Sequence, residues 1–532
     1  MLPAAIPHVA HWMDRRSNSQ PTGYIQADMP LYMAKAREAF DSGPFGILYG
    51  NPCEGFSNEP RIYYQPWTFA LGLIHWLTSI PPGVLFTWFW FVAAWSASRV
   101  FLAVFEQWVG LDSVSKKFAL VVFFWGGGVL ALAGATHGFM RHGVVVWDDL
   151  TAFDPFRGWW FLNLGRNLVY PTEALYHALA FGSFLSWARR GKYSLCRTLV
   201  LAALTASCSP FAGLETLAIL WLAGALELAF PAGRRRVLRL FLGVNGIGLC
   251  FAWYTVFFLN QFAEHRVLAA RMMLPWRYSW ITACAAYGPV FLLALWRFRS
   301  RERARELLSR PESRFLIVWA VAAFALENHD LVISPRQPIH FTRGYVWSAL
   351  FLLGAPTLVT IFEGIAKVRA PYHRLVRMMF MAAILADNGT WFAMFAHEYQ
   401  MPDRNGVRLK SDEREVLRRL DGDDLKGCLL LSENERISYL ALAETRLHAL
   451  IGHWLETPDY EIRRHQVRVY FENGERHASW NDLPLVVVID RLEGSSRWLE
   501  HPLGHVVFQN RRFQILQNEI PSHEPNPINT KH

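Results

Sequence analysis

The sequence has little charge and few cysteines, and it lacks the short motifs of several enzyme classes. Only 18% of its 532 residues are charged. The six cysteines form no CxxC pair, which argues against a disulfide framework and against a thiolate metal site. A phosphate-binding glycine loop, an HExxH motif and internal repeats are also missing. The opening stretch, MLPAAIPHVAHWMDRRSNSQ, has neither the basic leader nor the apolar core of a signal peptide.

Hydrophobic residues make up 52% of the chain, and aromatic residues make up 15%. They gather in apolar runs at Pro66–Ile80, Val84–Glu106, Phe118–Thr136, Tyr170–Trp187, Leu195–Cys208, Phe211–Phe230, Leu238–Asn260, Trp280–Trp296, Phe315–Leu326, Gly344–Phe362 and Met378–Phe395. Several approach the roughly 20 residues that a helix needs to cross a bilayer, and the shortest suit half-helices or buried segments. This pattern predicts an α-helical polytopic membrane protein with about 10–11 membrane segments.

The formal net charge of +9 does not indicate nucleic-acid binding, because the basic residues concentrate in short loops between apolar runs. The stretches ARRGKYSLCR and GRRRVLR hold four basic residues each, and RFRSRERARELLSR is also strongly basic. Such loops face the cytoplasm by the positive-inside rule. We therefore predict a multi-pass protein of the inner or plasma membrane whose region after about residue 396 is extracytoplasmic.

The last part of the chain has a different pattern. SDEREVLRRLDG and ENERISYLALAE have helical periodicity, whereas GCLLLS and LPLVVVID are short apolar runs typical of buried strands. Their alternation predicts a small α/β domain, and the polar end of the chain should be disordered. The predicted organisation is an extracytoplasmic loop with amphipathic helices over 1–65, a transmembrane domain over 66–396, a soluble α/β domain over 397–515 and a disordered tail over 516–532.

Several polar or glycine-rich features have ordinary structural explanations. His448, His453 and His465 lack the spacing of metal ligands, which favours surface or packing roles. WGGGV at 125–129 is interpreted as glycine inside an apolar helix, where it allows close helix packing. Asp387 and Asn388 in LADNGTW are expected to terminate the last apolar segment.

Polar residues at the membrane surface are the informative ones in such a protein. Asp28 precedes a predicted helix that starts near Pro30 and carries Tyr32 and Arg37. The alternative interpretation makes Asp28 an N-cap carboxylate that satisfies free backbone amides.

Two further polar sets flank apolar runs. WDDLTAFDPF and NLGRNLVYP place Asp148 and Arg166 in one extracytoplasmic loop, where solvated charges are the alternative explanation. In SPRQPIHFTRGY, Arg336, His340 and Arg343 are suited to a lipid phosphate, because arginine can hold two phosphate oxygens at once. Snorkelling to the headgroups is the alternative for these basic side chains.

The segments ADMPLYMAKAREAFDSG and EPRIYYQPWTFALGLIHWL resemble the first extracytoplasmic loop and next helix of the GT-C class of membrane glycosyltransferases, which use polyprenyl-phosphate sugars. FFWGGGVLALAG, LVYPTEALYHAL, PIHFTRGYVW and the closing α/β region are similar, in order and character, to uncharacterised bacterial members. The resemblance implies that Asp28 is the catalytic base and that Tyr32 and Arg37 orient acceptor or donor. It also implies substrate-binding roles for Arg336, His340, Arg343, Asp148 and Arg166.

The resemblance further implies an inverting transfer from a polyprenyl-phosphate sugar to a glycan, lipid or protein acceptor, with membrane lipids around the protein and no nucleic acid. It implies a transmembrane helix ahead of the loop, which would precede Met1. Many members carry a second acidic residue beside the first, where this chain has Met29. No cofactor is therefore certain, and a divalent metal stays open.

Two other functional classes stay open as alternatives. A transporter or flippase should show internal symmetry and paired Gly/Pro breaks, for which LCFAWYT and ASCSPFAG are weak candidates. A non-catalytic assembly protein would use its C-terminal domain to bind partners and its membrane part as an anchor.

Overall fold

The structure is a computed structural model that describes residues 1–13, 19–41, 46–55, 60–158, 162–189, 191–230, 234–367, 372–399, 407–492 and 504–518. The chain divides into two compact units. The helical unit comprises Met1–Val9 and Trp88–Arg404, and the mixed unit comprises Ala10–Thr87 and Asn405–His532. The mixed unit thus joins residues from two segments that the sequence prediction separates.

The first helices along the chain are α1 (Leu2–Met13), α2 (Met29–Asp41), α3 (Pro66–Thr78), α4 (Pro82–Trp108), α5 (Val114–Trp125), α6 (Leu130–His142), α7 (Leu164–Asn167), α8 (Pro171–Ala188), α9 (Ser194–Cys208) and α10 (Pro210–Leu228). They are followed by α11 (Arg234–Ala252), α12 (Ala263–Arg271), α13 (Trp280–Leu295), α14 (Arg301–Ser309), α15 (Pro311–Glu327), α16 (Tyr345–Ala366), α17 (Tyr372–Tyr399), α18 (Ser411–Leu420), α19 (Glu435–Glu444) and α20 (Tyr460–Asn473).

The predicted apolar runs coincide with helices or, at 118–136, with a bent pair of helices. Among the described residues, six helices are long and apolar enough to cross a membrane, or seven if the bent pair forms one span. These six are Pro82–Trp108, Pro210–Leu228, Arg234–Gln261, Trp280–Phe298, Pro338–Ile365 and Tyr372–His397. Large side chains such as Trp88, Phe91 and Trp95 remain exposed on α4, as expected where a helix faces lipid. The predicted polytopic α-helical class is confirmed.

The bent pair, α5 and α6, meets at an angle of 65° around the three glycines. The interpretation of this stretch as a continuous helix is therefore wrong, whereas the expected close packing is present. A Cβ on Gly128 would lie only 2.0 Å from the carbonyl oxygen of Ala285. In a helix the Ala285 carbonyl would accept from the N–H of residue 289, but Pro289 has no N–H. The N–H of Val129 donates to this carbonyl instead, at 2.7 Å.

Two adjacent side chains of α17 form hydrogen bonds with the backbone groups at the two helix ends of this break. The Asp387 carboxylate accepts from the backbone N–H groups of Leu130 and Ala131 at 3.2 and 2.9 Å, which caps the start of α6. The Asn388 amide donates to the carbonyl of Trp125, at the end of α5, at 2.7 Å. The prediction that these residues terminate their own segment is wrong, because α17 continues to Tyr399.

The mixed unit contains two sheets. Its strands are β1 (Ser19–Pro21), β2 (Arg408–Lys410), β3 (Leu429–Ser432), β4 (His448–Ala449), β5 (Leu485–Asp490), β6 (His505–Gln509) and β7 (Phe513–Asn518). The larger sheet has the order β4-β3-β5-β7-β6, with parallel pairs around β3 and antiparallel pairs around β7. The helices and buried strands predicted for the C-terminal α/β region are confirmed.

The core of the mixed unit lies between the larger sheet and α20. Leu431, Val487 and Leu516 from the sheet pack with Tyr470 of α20 and with Trp480, and all are buried. The antiparallel pair β1–β2 joins the beginning of the unit to its second half, with Ser19 opposite Lys410. Strand β7 extends to Asn518, and the remainder of the predicted tail lies outside the described residues.

Candidate active site

Asp28 stands immediately before α2, as the sequence predicts. The helix begins at Met29, and Pro30 occupies its first turn, where the missing N–H costs nothing. Asp28 N–H donates to the Gln26 side-chain oxygen at 2.8 Å, and the Gln26 amide nitrogen donates to Asp28 Oδ2 at 2.9 Å. These two bonds fix the carboxylate against its own loop.

The second carboxylate oxygen of Asp28 meets a residue from the far end of the chain. His453 Nε2 lies 3.1 Å from Asp28 Oδ1. The His453 side chain is 8% exposed, whereas the Asp28 side chain is 50% exposed. The carboxylate is therefore held by a buried imidazole while half of its surface faces solvent.

The backbone around His453 determines which ring nitrogen carries the proton. Leu455 N–H donates to His453 Nδ1 at 3.3 Å, so Nδ1 acts as the acceptor. In a neutral imidazole the other nitrogen then carries the hydrogen. His453 Nε2–H accordingly donates to Asp28, and the carboxylate keeps its role as a hydrogen-bond acceptor.

Tyr439 of α19 holds the backbone on both sides of Asp28. Its hydroxyl donates to the carbonyl of Ala27 at 2.8 Å and accepts from Leu31 N–H at 3.1 Å. Burial, together with the negative charge of Asp28, raises the pKa of the Tyr439 phenol well above its usual value. The hydroxyl therefore stays protonated and remains a donor to Ala27.

An ion pair between Lys35 and Glu456 lies next to this group. Lys35 Nζ is 2.8 Å from Glu456 Oε1, and Asn51 donates to the Glu456 carbonyl at 2.8 Å. Burial opposes ionisation of Glu456, but the Lys35 ammonium outweighs it and holds the pKa of this carboxyl below its usual value. Glu456 in turn outweighs the effect of burial on Lys35 and raises the pKa of that ammonium.

The other two residues predicted around Asp28 lie on α2. Tyr32 is half-buried, and its ring stacks on Phe86 with 6.2 Å between centroids and packs edge-on against Trp67. Arg37 is buried, donates to Asp41 at 2.7 Å and also donates to the carbonyl of Ala443 at 3.2 Å. These contacts tie Arg37 to α2 itself and to the end of α19.

Five predicted substrate-binding residues belong to the helical unit. Arg343 Nη1 lies 3.2 Å from Glu173 Oε1, and His177 Nε2 contacts the Arg343 carbonyl oxygen. The His340 ring stacks on Phe211 with 4.3 Å between centroids. Arg336 is exposed, and its backbone N–H donates to His329 Nε2 at 3.0 Å. Arg336, His340 and Arg343 thus lie in the segment that leads into α16, each with a different partner.

Arg166 and Asp148, although close in sequence, have different surroundings. Asp148 is exposed in a short 3₁₀ turn, Trp147–Thr151. Arg166 is 1% exposed and donates to Asp154 Oδ2 at 2.6 Å. It also donates to the Asn388 side chain at 2.9 Å and to the Asp387 carbonyl at 2.6 Å. Arg166 therefore anchors the loop after α6 to the same part of α17 that caps the helix break.

The Asp28 carboxylate accepts hydrogen bonds in this structure. Two N–H donors, from Gln26 and His453, point at the carboxylate, whereas a cation would require further oxygen or unprotonated nitrogen ligands. Over the described ranges, no cluster of three or more His, Cys, Asp or Glu side chains could hold a metal.

His453 and Tyr439 were missed as site residues by sequence reasoning. The sequence marks His453 only as a surface or packing histidine, since nothing in its spacing relates it to a carboxylate 425 positions away. The pairing depends on a loop after β4 meeting the loop before α2, and only the folded unit brings these loops together.

Comparison with known proteins finds similarity at the level of structure. No protein-family model and no curated protein matches the chain. The oligosaccharyltransferase AglB from Archaeoglobus fulgidus, solved with an inhibitory peptide and a dolichol-phosphate, has a TM-score of 0.50 and 10% sequence identity, over 92% of this chain and 68% of that one. ArnT from Cupriavidus metallidurans, bound to undecaprenyl phosphate, has a TM-score of 0.47 and 13% identity, over 97% of each chain. The likeness to AglB confirms the GT-C fold that the sequence resemblance implies.

Proposed function

Since the chain has the fold of the GT-C membrane glycosyltransferases, we propose that it transfers a sugar from a polyprenyl-phosphate donor to an acceptor hydroxyl on the extracytoplasmic side of the membrane. The observation that carries the proposal is the Asp28 carboxylate, which is half-exposed and held by His453 and Gln26. A half-exposed carboxylate with a fixed orientation is suited to accept a proton from a bound hydroxyl.

The proposed reaction is a single displacement. The acceptor oxygen forms a bond to the anomeric carbon while its proton passes to Asp28. The bond between that carbon and the phosphate oxygen breaks, and the polyprenyl phosphate leaves with the electron pair. Because no covalent sugar–enzyme intermediate forms, the anomeric configuration inverts.

The departing phosphate needs positive charge, since negative charge develops on it in the transition state. In our proposal the Arg343 guanidinium supplies this charge and the His340 ring donates a hydrogen bond to the phosphate, with Arg336 at the exposed edge of the same region. The ion pair between Glu173 and Arg343 orients the guanidinium group, which has five N–H donors in a fixed plane. Asp148, exposed in its turn, is assigned to substrate binding as an accessible carboxylate.

Two residues of α2 receive separate roles in the proposal. Tyr32, which packs on Phe86 and Trp67, orients acceptor or donor with its half-buried ring. Arg37 acts as a positioning residue that fixes α2 against α19, because its guanidinium already binds Asp41 and the Ala443 carbonyl. We assign the same type of role to Arg166 in its own unit.

The break between α5 and α6 is the observation that favours a transporter, because broken helices often form substrate sites in such proteins. In this chain, however, the Asp387 carboxylate occupies the amides that begin α6. The same amides would otherwise attract an anionic ligand. Because Asp387 already binds these amides, the break is weak support for the transporter alternative.

Mass spectrometry of lipid-linked sugars and surface glycans tests the proposal. A strain that lacks the gene should accumulate a glycan shortened by one sugar, and the intact protein should restore it. If deletion leaves every lipid-linked and surface glycan unchanged, the transferase proposal is contradicted.

A further inference from the structure

A cavity of about 780 Å³ lies in the helical unit, bounded by α13, α14 and α16. One wall is mostly apolar and comes from the two long helices, with Pro289 and Leu292 on α13 and Pro356 and Ile361 on α16. Thr357 and Thr360 of α16 also line it, and the Thr360 hydroxyl donates to the Pro356 carbonyl at 2.9 Å. Both prolines lie inside continuous helices. Such a wall is suited to a hydrocarbon chain rather than to a soluble ligand.

The lining of the cavity also includes basic side chains. Arg297, Arg299 and Arg303 line it, together with a single carboxylate, Glu306, which is paired with Arg310. Arg297 Nη1 donates to the Leu353 carbonyl at 3.2 Å. Cationic groups therefore outnumber the acidic one in this lining.

The arginines are arranged at the level where the apolar helix ends. The Arg299 guanidinium lies over the Trp296 ring, 5.1 Å from its centroid, and both side chains are largely exposed. Tryptophan and arginine together are typical of the boundary between hydrocarbon and headgroups. The loop that carries them, RFRSRERARELLSR, is one that the positive-inside rule assigns to the cytoplasm.

We propose that this cavity binds the headgroup of an anionic phospholipid, with its phosphate on Arg299 and Arg303 and an acyl chain along the wall of α13 and α16. Guanidinium groups bind phosphate oxygens in pairs, and an apolar wall beside them distinguishes a lipid phosphate from a free one. The proposal concerns a predicted cytoplasmic loop, and it does not depend on the proposed glycosyl transfer.

The test is native mass spectrometry of the full-length protein released from nanodiscs of equal parts phosphatidylglycerol and phosphatidylcholine. The test variant is R299Q/R303Q. Its matched control is R301Q/R305Q, which removes two exposed charges from α14 at positions that do not line the cavity. All four side chains are exposed, so neither variant removes a buried contact, and size-exclusion chromatography checks that both remain monodisperse.

We expect the intact protein and R301Q/R305Q to retain one phosphatidylglycerol, and R299Q/R303Q to lose it by at least about fivefold, the effect of about one surface cation on anionic-lipid binding. Equal losses in both variants would overturn the proposal in favour of diffuse surface charge. Retention by R299Q/R303Q, or preferential retention of phosphatidylcholine, would also overturn it. If excess inorganic phosphate displaces the lipid, the site binds free phosphate and the proposal is overturned.

Discussion

His453 Nε2 donates to Asp28 Oδ1 across 3.1 Å, although 425 residues separate the two positions. The backbone N–H of Leu455 occupies the other ring nitrogen and so fixes the tautomer that makes this donation possible. In the proposed reaction this hydrogen bond sets the direction of the Asp28 carboxylate.

Replacing His453 by alanine should lower the turnover of the transfer by about 10- to 150-fold, because a hydrogen bond to a charged group contributes about 1.5–3 kcal/mol. His453→Gln should recover part of the loss, since the glutamine amide can donate in place of the imidazole. Turnover and KM are measured on purified protein with the donor and acceptor identified from the deletion strain. If H453A raises KM but leaves turnover unchanged, His453 binds substrate and does not position Asp28.

Tyr439→Phe should reduce both stability and activity. The substitution removes the hydroxyl that bonds to Ala27 and Leu31, which should cost about 1–2 kcal/mol in the free energy of unfolding. The control is Tyr460→Phe, whose hydroxyl donates to the Glu435 carboxylate instead of to the Asp28 loop. Thermal unfolding and transfer activity are compared. If Y439F is as active as Y460F, the hydrogen bonds from Tyr439 to Ala27 and Leu31 do not contribute to catalysis.

The ion pair of Lys35 and Glu456 should stabilise the mixed unit in a pH-dependent way. The lowered pKa of Glu456 means that its contribution is present above the usual value of 4.5 and is lost as the pH falls through the still lower folded pKa. The raised pKa of Lys35 means that its contribution is present below 10.5 and is lost only above that value. Both contributions are therefore present at pH 7.

A double-mutant cycle with K35M and E456Q measures this coupling through the free energy of unfolding. We expect about 1–3 kcal/mol at pH 7, between the values for exposed and fully buried pairs, and a decline below about pH 4.5. A coupling that does not change between pH 7 and the acid limit would contradict the assignment of Glu456 as the ionised partner.

Arg166→Met should destabilise the helical unit by about 3–5 kcal/mol, because it leaves Asp154 buried without its cation. The double variant R166M/D154L should recover part of this loss, since an apolar pair has no charge to compensate. Asp148→Asn, at an exposed position, should have no effect on stability. Thermal unfolding in detergent distinguishes these outcomes. If R166M unfolds like the intact protein but loses activity, Arg166 contacts substrate.

The sequence predicts the helices well because an apolar run of sufficient length has few other structures available in a membrane. It fails at the break between α5 and α6, where the apolar run through three glycines predicts a continuous helix. The break depends on groups far along the chain. These are the Ala285 carbonyl, which Pro289 leaves without a partner in α13, and the side chains of Asp387 and Asn388, which bond to the backbone on the two sides of the break. Single-sequence patterns contain no information about such distant partners.

The candidate site shows the same limit. Asp28 and the start of α2 could be predicted, because an acidic residue before a proline is a local signal. His453 and Tyr439 could not, since each contacts the Asp28 loop from more than 400 positions away. The polar loop around Arg166 predicts a substrate contact, and the positioning role that we propose for it instead rests on its burial and its bond to Asp154.

The measurement that tests the central claim most directly compares D28N with D482N, a control that removes one exposed carboxylate from the same unit. Each variant is expressed at the level of the intact protein in the deletion strain, and glycans are analysed by mass spectrometry. We predict that D482N restores the full glycan and that D28N lowers its rate of formation at least about 100-fold, as expected for loss of a general base. Full restoration by D28N would contradict the assignment of Asp28 as the base.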